Sequence, residues 1–223
     1  MSQAGKHAQN IDIKIGLKTV TGVILDDKLL ELSKNRKSTR KFSRKEVDME
    51  DVLYSLDVAR FSPSGANEQP WRFIIIDNEG IKKRIRDASE RGEKILYDNV
   101  KGEFKDWLLS HGLSHHKPFL EEAPILIAIL MKNSAQYARE SLWVAVGHIL
   151  LALEERGLNT LVYTPSNTGF PQNELNVPNG FKLEAILPVG HSEDDVKKTS
   201  KLSLKDLVFR NEWGYPFDDT HDT

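Results

Sequence analysis

The chain has 223 residues, 39% of them apolar and 29% charged, a balance that suits one folded domain with a sizeable core and excludes extended disorder. A formal net charge of −2 provides no basic field for nucleic acid or anionic lipid, so any anion has to be held by a local cluster. No cysteine is present, which removes disulfides, thiolate metal sites and cysteine nucleophiles. The longest uncharged apolar run, Ala123 to Met131, falls well short of the roughly 20 residues of a membrane helix, and no hydrophobic leader opens the chain. A cytoplasmic protein without nucleic-acid or membrane partners is expected.

In chain order, residues 1–20 read as the flexible start of a single domain spanning 1–223. Asp26 to Asn35 spaces its leucines along one helical face and runs into the cationic stretch Arg36-Lys37-Ser38-Thr39-Arg40. Asp48 predicts the N-cap of a second helix carrying Val52, Leu53, Leu56 and Ala59 on one side and stopping near Ser62-Pro63. A loop, Pro63-Ser64-Gly65-Ala66-Asn67, precedes the aromatic and β-branched strand Trp71 to Ile76. Ile81 to His111 has helical propensity, but Gly92, Gly102 and Gly112 argue against one rigid helix and for a mobile helical excursion, an insertion over 81–117. Tyr137 to Arg156 is apolar around most of its circumference and ends at Gly157, predicting a central buried helix. Ile125 to Leu130, Leu158 to Thr164 and Phe181 to Val189 add strands, which gives an α+β class with a central mixed or antiparallel sheet flanked by helices. The tail 202–223 carries Trp213, Tyr215 and Phe217, too aromatic to float free, and predicts an arm that wraps another subunit.

Three groups of residues could carry chemistry. Arg36, Lys37, Ser38 and Arg40 combine cations and a hydroxyl at a helix end, a set suited to phosphate, although on spacing alone such a run is an exposed turn. The small residues of Pro63 to Asn67 let backbone amides approach a flat ligand, although a turn of this composition is equally a plain connection. Val162-Tyr163-Thr164-Pro165 places a hydroxyl at a strand end, where it could reach a heteroaromatic nitrogen. His111, His115 and His116 lack the spacing of a closed metal shell, and His148 reads as a hydrogen-bonded core or interface residue, so no metal is expected.

Taken in order, Arg-Lys-Ser-Thr-Arg-Lys-Phe, Pro-Ser-Gly-Ala-Asn-Glu-Gln-Pro-Trp, Glu-Glu-Ala-Pro, the long helix, Gly-Leu-Asn-Thr-Leu-Val-Tyr-Thr-Pro and Leu-Pro-Val-Gly-His resemble the nitroreductase family over roughly Leu29 to Leu207. The resemblance implies an intertwined homodimer with exchanged C-terminal arms and FMN at its interface. It further implies that Arg36, Lys37, Ser38, Arg40 and Lys201 hold the phosphate and ribityl chain, that Pro63, Ser64, Gly65, Asn67 and Tyr163 border the flavin, and that Thr164 faces its N5 edge. Lys37 and Lys201 stand where the iodotyrosine deiodinase branch of that family has arginines, which keeps charge and loses bidentate geometry.

Within the helical excursion, Glu93 and Tyr97 lie one turn apart on one face, and Lys117 precedes Pro118. These three resemble the lid of the iodotyrosine deiodinase branch. A carboxylate for the substrate ammonium, an ammonium for its carboxylate and a phenol would select a halotyrosine-like zwitterion, with the Ala66 amide on the phenolate oxygen. The electron donor would be NAD(P)H or a reductase protein. Alternatives from the same reading are a general NAD(P)H-dependent nitroreductase or flavin reductase with an incidental lid, and a flavin-binding protein without turnover.

Overall fold

A computed structural model describes residues 27–195 and 198–215. The expectations for residues 1–20 and for Phe217 lie outside the described residues. Helices α1 (Lys28–Asn35) and α2 (Met49–Arg60) precede strand β1 (Trp71–Ile76), which is followed by α3 (Glu79–Asn99), α4 (Glu103–Ser110) and α5 (Phe119–Glu122). Then come β2 (Ile125–Lys132), α6 (Ala138–Glu155), β3 (Asn159–Thr160), α7 (Gly169–Glu174), β4 (Phe181–Gly190) and α8 (Leu204–Leu207).

The four strands form one sheet in the order β1-β2-β4-β3, every neighbour antiparallel. A single parallel bridge, Ser38 to Thr160, adds the stretch after α1 to its edge. The unbroken apolar run of β2 follows from burial on both faces. Ile125, Ile127 and Ile129 join Val52 of α2 and Leu142, Ile149 and Leu153 of α6, whereas Leu126, Ala128 and Leu130 meet Ile85, Phe119 and Leu120 on the other side. Helix, sheet and helix layers therefore share their central strands, and each fully buried Leu or Ile contributes about 1.5–3 kcal/mol. A bulge opposite Ile129/Leu130 sets Glu184 off the ladder, where Arg139 (3.2 Å) and Lys182 (3.1 Å) balance its buried carboxylate.

Several expectations hold and several need correction. Asp48 caps α2 by accepting from the Glu50 N–H at 2.9 Å, β1 spans the residues expected, and Gly157 (φ 69°) ends α6. Leu53, however, is exposed, and Ser55 takes its place in the core with its hydroxyl satisfied by the Val52 carbonyl at 2.7 Å. Burial of α6 is confined to one face, Ala138-Ser141-Leu142-Ala145-Val146-Ile149, whereas Val144 is 43% exposed. Leu158 to Thr164 is not one strand. Only Asn159–Thr160 pairs regularly, and Tyr163 returns to the sheet through a lone bridge to Ile186, with its hydroxyl drawn to Glu93. Gly92 does not interrupt α3: its missing Cβ lets Asn167 and Phe170 pack against the helix, and a Cβ there would lie 3.0 Å from Asn167 Cβ. The break falls at Gly102, whose φ of 64° favours glycine.

Candidate functional site

The cationic run after α1 is held by the segment that follows β4. Thr39 N–H donates to the Thr160 carbonyl at 3.1 Å, and the Asp194 carboxylate accepts from the Arg40 N–H and from the Lys41 N–H at 3.1 Å. Lys37 Nζ donates to the Asp194 carbonyl at 2.6 Å; with three N–H donors it can keep that bond and still reach an anion. Lys198 donates to the Ser33 carbonyl at 3.0 Å and to that of Lys34, at the C-terminal end of α1. Its ammonium is held below the usual lysine range by desolvation and then by repulsion from Arg36 and Lys201. Glu154 of α6 faces the same cluster: burial pushes its carboxyl up, and Arg36, Lys198 and Lys37 oppose that rise. Ser38, Arg40 and Lys201 are exposed and Arg36 is half-buried. Asp194, Lys198 and Glu154 were not among the residues expected from sequence. Only the density of lysines near Lys201 hinted at Lys198.

The loop after α2 carries unusual backbone. Ala66 (φ 47°), Asn67 (φ 57°) and Gln69 (φ 46°) are all left-handed, a conformation unfavourable by about 1–2 kcal/mol per non-glycine residue. The surroundings impose it. Ser64 Oγ accepts from Gln69 N–H at 3.0 Å, Ser141 Oγ from Gly65 N–H at 3.2 Å, and Glu68 from Gln136 N–H at 2.7 Å. Tyr137, itself left-handed at φ 52°, packs on Gly65 so closely that a Cβ there would lie 3.1 Å from its ring. Among the described residues the Ala66 N–H has no acceptor, leaving it free for a ligand oxygen. His148 accepts from or donates to Ser62 Oγ at 2.7 Å, a hydrogen-bonded position at the foot of this loop.

The third group is the best defined. Glu93 is 95% buried by residue (5% exposed), and its Oε1 accepts from the Tyr163 hydroxyl at 2.9 Å and the Ser166 N–H at 3.0 Å. Lys117, 8% exposed, brings Nζ to 3.6 Å from Glu93 Oε2 and donates to the Ser114 carbonyl. Its ammonium also lies 5.6 Å over the Tyr97 ring. Desolvation pulls Lys117 below the usual lysine range against the attraction of Glu93, and nearby Arg40 pulls the same way. Burial and the Glu93 charge raise both the Tyr97 and Tyr163 phenols, which keeps them protonated donors. Glu93, Tyr97 and Lys117 are therefore brought together as expected. Tyr163, expected to border a flavin, places its hydroxyl in this cluster, and its backbone N–H and C=O both pair with Ile186. Exposed Thr164 lies between Tyr163 and Ser166, at the edge of the same group.

Glu90 of α3 fastens the segment that leads into α5. It accepts from the Lys117 N–H at 2.7 Å and from Arg86 at 2.9 Å, and His116 stands 3.6 Å away. Burial works against its charge, but those partners outweigh it and hold the carboxyl below its usual range. An open cleft of about 450 Å³ lies outside α3, lined by Arg84, Asp87, Glu90, Arg91, Lys94, His115 and Glu174. It contains none of the expected site residues, and its charges are partly paired with one another, as in Arg84–Glu174 at 3.2 Å. Among the described residues no group of three or more His, Asp or Glu is placed to hold a metal, and no helix is long and apolar enough to cross a membrane.

Comparison with known proteins adds the following. Residues 33–191 match the model of the nitroreductase family. The iodotyrosine deiodinase of Thermotoga neapolitana is 46% identical over 170 residues, covering 76% of this chain and 91% of that protein. That of Haliscomenobacter hydrossis is 33% identical over 186 residues, covering 76% and 84%. A crystal structure of oxidised iodotyrosine deiodinase bound to FMN and 3-iodo-L-tyrosine superposes with a TM-score of 0.78 at 43% identity, covering 82% of this chain and 98% of that one. A BluB-like flavoprotein from Clostridium difficile, 22% identical with a TM-score of 0.69 and covering 82% and 99%, shares the fold.

Proposed function

We propose, from the premise that the chain belongs to the nitroreductase family, that it is an FMN-dependent oxidoreductase that reductively removes halogen from halotyrosine. The single observation that carries the substrate is the buried Glu93–Lys117 pair, 3.6 Å apart with Tyr97 beside it. One anion and one cation facing each other in a buried position complement an amino acid zwitterion: the substrate ammonium takes Glu93 and the carboxylate takes Lys117 and Tyr97. A plain phenol offers neither charge, and leaves both groups paired with each other.

The cationic cluster fits the phosphate of FMN, because Arg36 and Lys201 each repel Lys198 and an anion relieves that repulsion. In this reading Arg36, Lys37, Ser38, Arg40 and Lys201 hold the phosphate and ribityl chain. Pro63, Ser64, Gly65, Asn67 and Tyr163 border the ring, with the Thr164 hydroxyl at its N5 edge. Bound FMN supplies the electrons: two electrons and one proton replace carbon–iodine by carbon–hydrogen, and iodide leaves. The chain's own groups position the ring. The Ala66 N–H donates to the phenolate oxygen, the lid segment 81–117 excludes water, and Glu93 and Lys117 fix the amino acid end.

The same reading includes a cytoplasmic homodimer of single domains whose arms, 202–223, cross between subunits, with NAD(P)H or a reductase protein as donor. It is supported by the exposure of Leu202, Leu204, Leu207, Trp213 and Tyr215 along that arm, apolar surface that a lone subunit leaves in water. Anaerobic mixing of the dithionite-reduced, FMN-loaded protein with 3-iodotyrosine tests the function. Tyrosine and iodide in equal amounts are expected. Intact iodotyrosine, beside rapid NAD(P)H-driven reduction of a nitroarene, would move the protein to the general nitroreductases.

A further inference from the structure

Tyr163 is the one residue of the lid cluster that comes from the sheet. Its backbone is tied to β4 on both sides, N–H to the Ile186 carbonyl at 3.0 Å and carbonyl to the Ile186 N–H at 2.8 Å. Its ring is 6% exposed and meets Phe119 edge-on at 5.6 Å. The hydroxyl therefore has one place to be, and there it donates to Glu93 Oε1. The Ser166 N–H donates to the same oxygen, so two donors from one short stretch of chain occupy Oε1.

Glu93 Oε2 is left differently placed. Lys117 does not close on it with a short hydrogen bond. It stands off at 3.6 Å and donates to the Ser114 carbonyl instead. The bonds from Tyr163 and Ser166 tie the Glu93 carboxylate, carried by α3, to the sheet and leave Oε2 turned towards Lys117. The same stretch carries Thr164, so the anchor and the residue expected at the flavin edge are spaced by neighbouring links of one extended chain, about 3.3 Å per residue.

We propose that Tyr163, with the Ser166 amide, is the positioning group that sets the Glu93 carboxylate for a substrate ammonium, and is thereby the determinant of preference for amine-bearing halophenols. The inference rests on the function proposed above and extends it to a residue that does not touch substrate. Tyr163→Phe removes one hydrogen bond to a charged group and preserves the ring that packs on Phe119.

The test uses the FMN-loaded protein and flavin fluorescence quenching with three ligands: 3-iodotyrosine, 3-iodotyramine and 3-(3-iodo-4-hydroxyphenyl)propionate, which lacks the ammonium. Tyr163→Phe is expected to weaken the two amines by about 10- to 100-fold, the range for losing a hydrogen bond to a charge. The propionate should change by less than about threefold, within the spread expected of a distant substitution. In a Glu93→Gln background Tyr163→Phe should add little, since the two act through one contact. Equal weakening of all three ligands, no weakening of the amines, or an undiminished effect in the Glu93→Gln background would overturn the inference while the proposed function stood. A wild-type protein that binds 2-iodophenol as well as 3-iodotyrosine would remove the proposed function, and this inference with it.

Discussion

Ala66, Asn67 and Gln69 store backbone strain at the loop expected to meet substrate, and strain held by surrounding hydrogen bonds is a signature of a functional position. Ala66→Gly removes the steric part of that strain but enlarges the unfolded ensemble, effects of about 1 kcal/mol each with opposite sign. Thermal melting should therefore shift little, whereas quenching of the FMN-loaded protein by 3-iodotyrosine should weaken several-fold because the amide is no longer pinned; unchanged quenching would sever the strain from binding. Gly92→Ala gives a sharper contrast. Helix propensity alone favours alanine by about 1 kcal/mol, yet the new Cβ would meet Asn167 Cβ at 3.0 Å and push α3 from α7. A lower melting temperature and weaker iodotyrosine binding are expected; a higher melting temperature would show that the helices separate freely. At this scale the sequence was informative about type and blind to partner. It marked Glu93, Tyr97 and Lys117 by the family pattern, but the acceptor of the Tyr163 hydroxyl and the carboxylate that clamps residues 37–41, Asp194, depend on approaches between segments 70 and about 153 or more residues apart.

At the scale of elements, residues 114–117 are tied to α3 by Glu90, which accepts from the Lys117 N–H. Its carboxyl lies below the usual range in the folded protein, so the stabilisation it gives is present above the unfolded carboxyl value and is lost as pH falls through the lower, folded one. Acidification, and not alkali, should loosen residues 114–117. Glu90→Gln should produce the same loosening at neutral pH, seen as faster amide exchange at Lys117 with FMN retained. Exchange indistinguishable from wild type would mean that Glu90 does not hold this segment. Helix α2, β1, β2 and β4 were legible because apolar spacing and capping act within the segment. The stretch Leu158 to Thr164 was not. It looks like a strand by composition, and what bends it away is the demand of Glu93 and Ile186 on Tyr163, which no local pattern records.

For the whole molecule, the exposed row Leu202, Leu204, Leu207, Trp213 and Tyr215 and the half-open face of α6 around Val144 are the surfaces a second subunit would cover. Trp213, 88% exposed, is the largest of these, and Trp213→Ala should weaken the dimer by about 2 kcal/mol, the scale of an interface hot spot. Sedimentation over a dilution series should show dissociation at roughly 30-fold higher concentration than wild type; coincident curves would place Trp213 outside the interface. The proposed assembly also bears on the flavin, because the strained loop and the cationic cluster are each open on one side in the single subunit. The most direct measurement is a titration of the FMN-loaded protein with 3-iodotyrosine and with 2-iodophenol, followed by flavin fluorescence in wild type, Glu93→Gln and Lys117→Ala. Tight quenching by the amino acid alone, lost in both variants, is the expected result. Equal quenching by both ligands, unchanged in the variants, would contradict a lid that selects a zwitterion.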